Sequence, residues 1–319
     1  MNRNKKFLQK VVIASILICL ILILGILSDK FFTVTNFSNV FRQITMLVIT
    51  GSAVTLLMIS GNLDLSVGSV LALSAVLSAK FAVMGLSVPV SILFSSLFGI
   101  MIGVLNGFMV VKVKIPSIIA TLGTMYIARG LSFVICQGQG VNVGLPKNFD
   151  ALGRSFIGPI PLPLILMAIV VTGFYIIESR TVLGKYSFAI GGNKTTAYLS
   201  GINVGAVVML LYILVGVFAS FSGSILASRL GVGQPNIGVG FEFDVIVAAI
   251  LGGASLNGGE GSVIGMVMGA LIIGFLGNGL NLLGVHSFYQ TILQGVVLIG
   301  AVVLDLALKH KVQPPLIHS

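Results

Sequence analysis

Apolar residues run along this chain in long unbroken blocks, and the polar residues collect between them. Val11–Leu27 is seventeen residues without a charge, and 86–111 is twenty-six. A helix needs about 20 apolar residues to cross a bilayer core. The blocks are apolar all round, without the period-two alternation of a barrel strand. In lipid a continuous helix satisfies its own backbone. The pattern therefore predicts helical spans near 11–27, 41–59, 66–84, 88–111, 116–136, 162–178, 203–225, 241–256, 261–280 and 288–305. The eighth is short and interrupted by glycine. Met1–Lys10 is basic, but the apolar run after it exceeds the usual signal-peptide length of about 7–15 residues and has no small-x-small site. It is expected to stay as the first helix. The fold class predicted is all-α, a polytopic bundle of about ten membrane helices forming a single transmembrane domain over 1–319.

Composition agrees. Apolar residues make up 56% of the chain and charged residues 8%, against about 25% charged in a soluble domain. The net charge of +10 does not point to nucleic acid, because no basic patch carries interleaved aromatics. The basic residues instead read as topology signals. With the N-terminus inside, Arg3, Lys5, Lys6, Lys10, Lys112, Lys114, Arg180, Lys185, Lys194, Lys309 and Lys311 face the cytoplasm, eleven in all. Lys30, Arg42, Lys80, Lys147, Arg154 and Arg229 face out, and Arg129 lies within a span. This asymmetry places both termini in the cytoplasm.

Two connections are long: 137–161, read as external, and 179–202, read as cytoplasmic. An internal echo joins the two halves. Asn106-Gly107 precedes Gly123, and Asn278-Gly279 precedes Gly295, at the same spacing. An inverted repeat of spans 2–5 and 7–10 would produce this, and so would chance.

Charged and amide groups at membrane depth are costly and often functional. Asp64 lies in Ser60-Gly-Asn-Leu-Asp-Leu-Ser-Val-Gly68. It either caps the third span or lines a cavity at a helix break. Glu260 is expected at the start of the ninth span. Glu242 and Asp244 open the eighth, as helix-start carboxylates or as part of an outer vestibule. Arg129 pairs with one of these acids or snorkels. Asn62, Asp64, Asn106, Asn278 and Asn281 are the candidate pathway groups; for each asparagine the alternative is a cap or an interhelical hydrogen bond. Gly265-x-x-x-Gly269 reads as a packing face. Cys19 and Cys136 read as small hydrophobes within apolar blocks. His286, His310 and His318 lack metal-ligand spacing. No nucleophile, metal or phosphate-loop motif is present, so no catalytic residue, metal or cofactor is expected in this chain.

In 179–202, Gly191-Gly192 is expected to break the chain, Asn193 to cap a short helix, and Gly201 to stop it. The segment Gly191, Gly192, Asn193, Lys194, Thr195, Thr196, Ala197, Leu199, Ser200 and Gly201 is either a docking element for a soluble partner or a plain connector.

Several segments taken together carry a resemblance. They are Gly61-Asn-Leu-Asp-Leu-Ser-Val-Gly-Ser69, Ile115-Pro-Ser-Ile-Ile-Ala-Thr-Leu-Gly-Thr124, Ala189-Ile-Gly-Gly-Asn193 and Leu199-Ser-Gly-Ile-Asn-Val204. Leu251-Gly-Gly-Ala-Ser-Leu-Asn-Gly-Gly259 and Asn278-Gly-Leu-Asn-Leu-Leu-Gly284 with Tyr289-Gln290 complete the set. Over nearly its whole length the chain resembles the permease subunits of bacterial ATP-binding-cassette importers for ribose and related monosaccharides. The resemblance implies a permease in the bacterial inner membrane, paired with a second permease copy (identical or a paralogue). It also implies a cytoplasmic ATP-binding subunit that uses the ATP, an extracytoplasmic sugar-binding protein, and alternating access. Gly191–Gly201 then becomes the coupling element. Lys194-Thr195-Thr196 departs from the Glu-Ala-Ala common in such relatives, exchanging acid for base where the ATPase would dock. An ion-coupled secondary transporter of a small polar solute is the alternative, with Asp64 or Glu242 as its ion site. An intramembrane enzyme lacks a nucleophile and base.

Overall fold

The computed structural model describes residues 3–310, with side chains for 11–300, 302 and 303. Residues 1–2 and 311–319, and with them the expectations for the two termini, Lys311 and His318, lie outside the described residues. The described residues fold into thirteen α-helices. They are α1 (Arg3–Leu27), α2 (Val34–Ile59), α3 (Val67–Val83), α4 (Val88–Phe108), α5 (Ser117–Cys136), α6 (Ala151–Arg154) and α7 (Leu162–Arg180). The remainder are α8 (Val182–Gly192), α9 (Lys194–Leu199), α10 (Val204–Leu230), α11 (Phe241–Leu251), α12 (Val263–Leu282) and α13 (Ser287–His310). A π-helical turn, Met109–Val113, extends α4. One two-stranded hairpin, Phe156–Ile157 with Ile160–Pro161, follows α6. Among the described residues, six helices are long and apolar enough to cross a membrane: α2, α4 with its π turn, α5, α7, α10 and α12.

Each apolar block predicted from the sequence is a helix, and the boundaries follow local chemistry. Thr33, Thr181, Asn193, Asn203 and Ser262 accept a backbone N–H from the first turn of α2, α8, α9, α10 and α12. Pro89 and Pro163 sit in the first turns of α4 and α7, where no amide hydrogen is needed. The eighth predicted span shrinks to eleven residues, about 16 Å of helix. Gly252 stops it.

The core is built around α2 and α10. α2 packs on α11 and α12, while α10 packs on α3 and α4, and the two central helices touch. α3 pairs with α4 and α5; α11 pairs with α12 and α13. Small residues bring the backbones together. On α4, a methyl at Gly99 would meet the Gly216 carbonyl, one at Gly103 the Tyr212 carbonyl at 2.5 Å, and one at Gly107 the body of Met209. The expected Gly265-x-x-x-Gly269 face is such a contact: Gly265 lies on Gly252 and Gly269 on Ala248.

One sequence expectation is overturned here. Gly191-Gly192 does not break the chain; α8 runs through both glycines, and the break falls at Asn193, whose backbone is extended at φ −159°, ψ 105°. The region 179–202 is therefore two helices and not a loop. Gly191 is tolerated within α8 because its missing side chain makes room for another backbone.

Candidate functional site

Two non-helical segments enter the bundle, and α5 supports both. The first, 61–66, leaves the end of α2 and leads to α3. Non-helical backbone inside a membrane bundle needs partners from the protein. Leu63 N–H donates to the Ser117 hydroxyl at 3.4 Å and Leu65 N–H to the Thr121 hydroxyl at 3.1 Å. The Tyr212 hydroxyl donates to the Leu63 carbonyl at 3.1 Å. Asp64, only 2% exposed, accepts the Ser66 N–H at 2.7 Å and the Ser66 hydroxyl at 2.6 Å. Asp64 therefore lies in the break three residues ahead of α3 and holds Ser66, the N-cap residue, while no side chain caps the first turn of α3 itself.

Asn106 of α4 completes this network. Its amide donates to Asp64 at 3.3 Å and to the Ser66 hydroxyl at 3.0 Å, and its oxygen accepts from Thr124 at 2.7 Å. Asn106 is fully buried. Asn62 is half-buried and turned back on Ser60. Asn278 lies elsewhere, in a reciprocal amide pair with Asn36 (2.8 and 3.1 Å). Asn281 accepts from Gln290 at 2.8 Å. Of the five candidate pathway groups, Asp64 and Asn106 thus share one network, and Asn62, Asn278 and Asn281 have other partners.

The second segment, 231–240, leads to α11. Val141 and Gly233 exchange backbone hydrogen bonds at 2.8 and 3.0 Å. Arg129 donates to the carbonyls of Pro235 (2.7 Å), Ile237 (2.6 Å) and Gly238 (3.4 Å). Among the described residues it forms no salt bridge, although it interacts electrostatically with Glu242; its guanidinium fork satisfies a broken backbone. The segment delivers α11's first turn to α3's first turn, where Gly68 faces Gly238 and Glu242. Glu242 is 6% exposed and sits between the first turns of α3 and α11, where, among the described residues, its Oε2 has no hydrogen-bond partner. Asp244 is half-buried on another face of α11.

Three chain segments meet where α2 ends. The Gly259 N–H donates to the Ile59 carbonyl at 2.8 Å, and Gly191 lies against both, with Gly61 and Gly258 alongside. From this junction α9 projects outward. The Asn193 side chain accepts the Thr196 N–H at 2.9 Å, as expected of its cap, and Gly201 ends the element at φ +83°. Tyr198 is 70% and Leu199 78% exposed. Within the expected coupling segment, Ala197 points inward at 3% exposure, so it packs α9 against the bundle. Lys194, Thr195, Thr196 and Ser200 are exposed.

Sequence reasoning missed several groups. Glu178, at the end of α7, accepts the Val263 N–H at 2.7 Å and so holds the start of α12, the role expected of Glu260. Glu260 instead offers its carbonyl to Ser255, and Ser262 is the cap. Ser66, Thr121 and Thr124 were legible only as neighbours of the named asparagine and aspartate. Tyr198 lay within the coupling segment, but its exposure carries no sequence signal.

Broken helices buried in an apolar bundle, with an exposed short helix at one end, define a multi-pass membrane transport protein. The chain belongs to the family described as the branched-chain amino acid transport system / permease component, which matches residues 36–302. It is 41% identical over 300 residues to the ribose import permease protein RbsC of Escherichia coli (strain K12), covering 93% of each chain. It is 39% identical to the ribose import permease protein of Bacillus subtilis (strain 168), covering 91% of this chain and 90% of that one. The D-allose transport system permease protein AlsC of Escherichia coli (strain K12) is 37% identical, covering 91% and 89%. No solved structure matches the chain at a significant level.

Proposed function

We propose that this chain is the membrane permease subunit of an ATP-driven importer in the bacterial inner membrane. It passes a ribose-type monosaccharide from an extracytoplasmic sugar-binding protein into the cytoplasm. The likeness over 93% of both chains to a ribose import permease carries this reading. Relatives named for D-allose and L-arabinose support the broader class of sugar. The permease acts as half of a pair, and a partner subunit hydrolyses the ATP. In this reading the end bearing α9 is cytoplasmic and the ten apolar blocks are ten membrane helices. An inverted repeat relates α2–α5 to α10–α13. The matched packing of α2 with α11 and α12, and of α10 with α3 and α4, supports that repeat.

The residues suggest how force would travel. ATP-driven closure of the partner subunits moves α9 through Tyr198 and Leu199. α8 passes the displacement to the Gly191 junction, where the end of α2 and the α11–α12 loop meet. Both lead directly into helices bordering the interior, α3 and α12. Alternating access then follows as movement of these helices about a packed centre.

The test is uptake by the full complex in proteoliposomes, reconstituted with cognate ATP-binding and sugar-binding proteins. Labelled D-ribose, D-allose or L-arabinose is expected to enter only with ATP. Leu199→Asp, which places a charge on the exposed face of α9, is expected to release the ATP-binding subunit. Uptake that survives ATP depletion and collapses with a protonophore would overturn this reading in favour of ion coupling.

A further inference from the structure

A narrow cleft separates α11, α12 and α13. Asp244, Gln290 and Gln294 line it, between apolar walls that include Val247, Leu276 and Val297. Among the described residues, neither the Asp244 carboxylate nor the Gln294 amide has a hydrogen-bond partner. Gln290 is held in place: its amide donates to Asn281 at 2.8 Å and to the Val285 carbonyl at 2.9 Å, which leaves its oxygen free. Asp244 and Gln290 are half-buried at the cleft, and the Gln294 side chain is exposed at its mouth; polar groups at membrane depth are costly and often functional. A few polar groups converging between apolar walls are what a small-molecule site requires.

We propose that this cleft is the stretch of the translocation pathway that holds the passing solute, and that the solute there is an uncharged polyol. Asp244, Gln290 and Gln294 are its hydroxyl-binding groups, and Asn281 positions Gln290. The proposal rests on the importer reading above. The chemistry of the lining sets the class. Carboxylate and amide oxygens accept hydrogen bonds from sugar hydroxyls, and the apolar walls suit the C–H faces of a sugar ring. No lysine, arginine or histidine lines the cleft, and Asp244 repels anions, so a phosphorylated sugar is excluded. The free space in this state is about 40 Å³. A water needs about 10–15 Å³, so the cleft takes a few waters and no sugar until it widens. α13 can supply that widening. It packs chiefly on α11 and α12, and Phe288, Tyr289, Ile292, Val296 and Ile299 leave its outer face exposed.

The experiment uses the full complex in proteoliposomes, with Cys19→Ala and Cys136→Ala in the permease and Gln294→Cys as a reporter. The solute is whichever of D-ribose, D-allose and L-arabinose the wild-type complex transports. A water-soluble methanethiosulfonate reagent is expected to modify position 294. Turnover with ATP and that sugar should slow modification at least threefold, and the matching sugar phosphate should not. Separately, Asp244→Leu should lower uptake at least tenfold while still co-purifying with the ATP-binding subunit. Modification that ignores the sugar, or Asp244→Leu uptake within twofold of wild type, overturns the site. A wild-type complex that shows no ATP-dependent uptake of any of the three overturns the importer reading, and this site with it.

Discussion

The Gly259 N–H donates to the Ile59 carbonyl at 2.8 Å, joining the α11–α12 loop to the last turn of α2. Gly191 presses on both atoms from α8. Three chain segments far apart in sequence thus share one backbone contact directly behind α9.

Gly191→Ala is expected to damage this junction, because the new methyl would overlap the Ile59 carbonyl and the Gly259 amide. Overpacking of this kind costs about 1–3 kcal/mol. Gly192 has open space where a methyl would go. Gly192→Ala should therefore leave stability unchanged or raise it slightly, since alanine favours helix. Denaturation in mixed micelles would compare the two; equal behaviour would show that the junction is loose.

Arg129→Ala should free the segment 231–240, because three carbonyls lose their donor. Hydrogen bonds from a charged group contribute about 1.5–3 kcal/mol each, so a loss of about 3 kcal/mol or more is expected. Arg129→Lys keeps the charge but not the fork and should recover less than half. Hydrogen exchange at 236–243 reads the effect directly: faster exchange at these amides is expected in both variants.

The Asn36 and Asn278 amides hold each other reciprocally, so each single change to leucine takes one partner from the other amide. The double change Asn36→Leu with Asn278→Leu removes both and should be milder than the sum of the singles. Interhelical polar couplings in membranes average about 0.6 kcal/mol and reach about 1.7. A double-mutant cycle showing no coupling would mean that the amides do not depend on each other. Sugar uptake by the double variant, if near wild type, removes Asn278 from the pathway.

Thr124→Val keeps shape but takes away the donor to Asn106 at 2.7 Å. The fully buried Asn106 oxygen is then unpaired, at a cost of about 1–3 kcal/mol. Thr172→Val on the exposed side of α7, where the hydroxyl only returns to its own helix, is the control and should cost far less. Thermal stability of the two purified variants separates these outcomes.

Much of the fold was legible because lipid demands long apolar helices, and block length alone marks them. The cap at Asn193 was legible too, since an asparagine ahead of a short polar helix has a local job. Two kinds of feature were not. Gly191-Gly192 looked like a break because glycine usually weakens helices, yet tertiary contact with Ile59 and Gly259 fixed a helix there. Glu178 and Arg129 serve backbone groups 85 and more than 100 residues away, and spacing along the chain carries no trace of such partners. Likewise, of the five candidate pathway groups only Asp64 and Asn106 share a network, while Asn62, Asn278 and Asn281 each have other partners. Polarity at membrane depth shows that a residue has a partner; only the fold says which.

The glycines that seat α4 on α10 have a mechanical meaning. Gly99, Gly103 and Gly107 let the backbones meet turn by turn, like teeth in a closed zipper. A slide of one residue along this seam would drive a side chain into a facing carbonyl. Close backbone packing at these three glycines ties α4 to α10 along its length, so the two helices are expected to move together. A carrier built this way is expected to rock around this pair, along the more loosely seated periphery, and not through it.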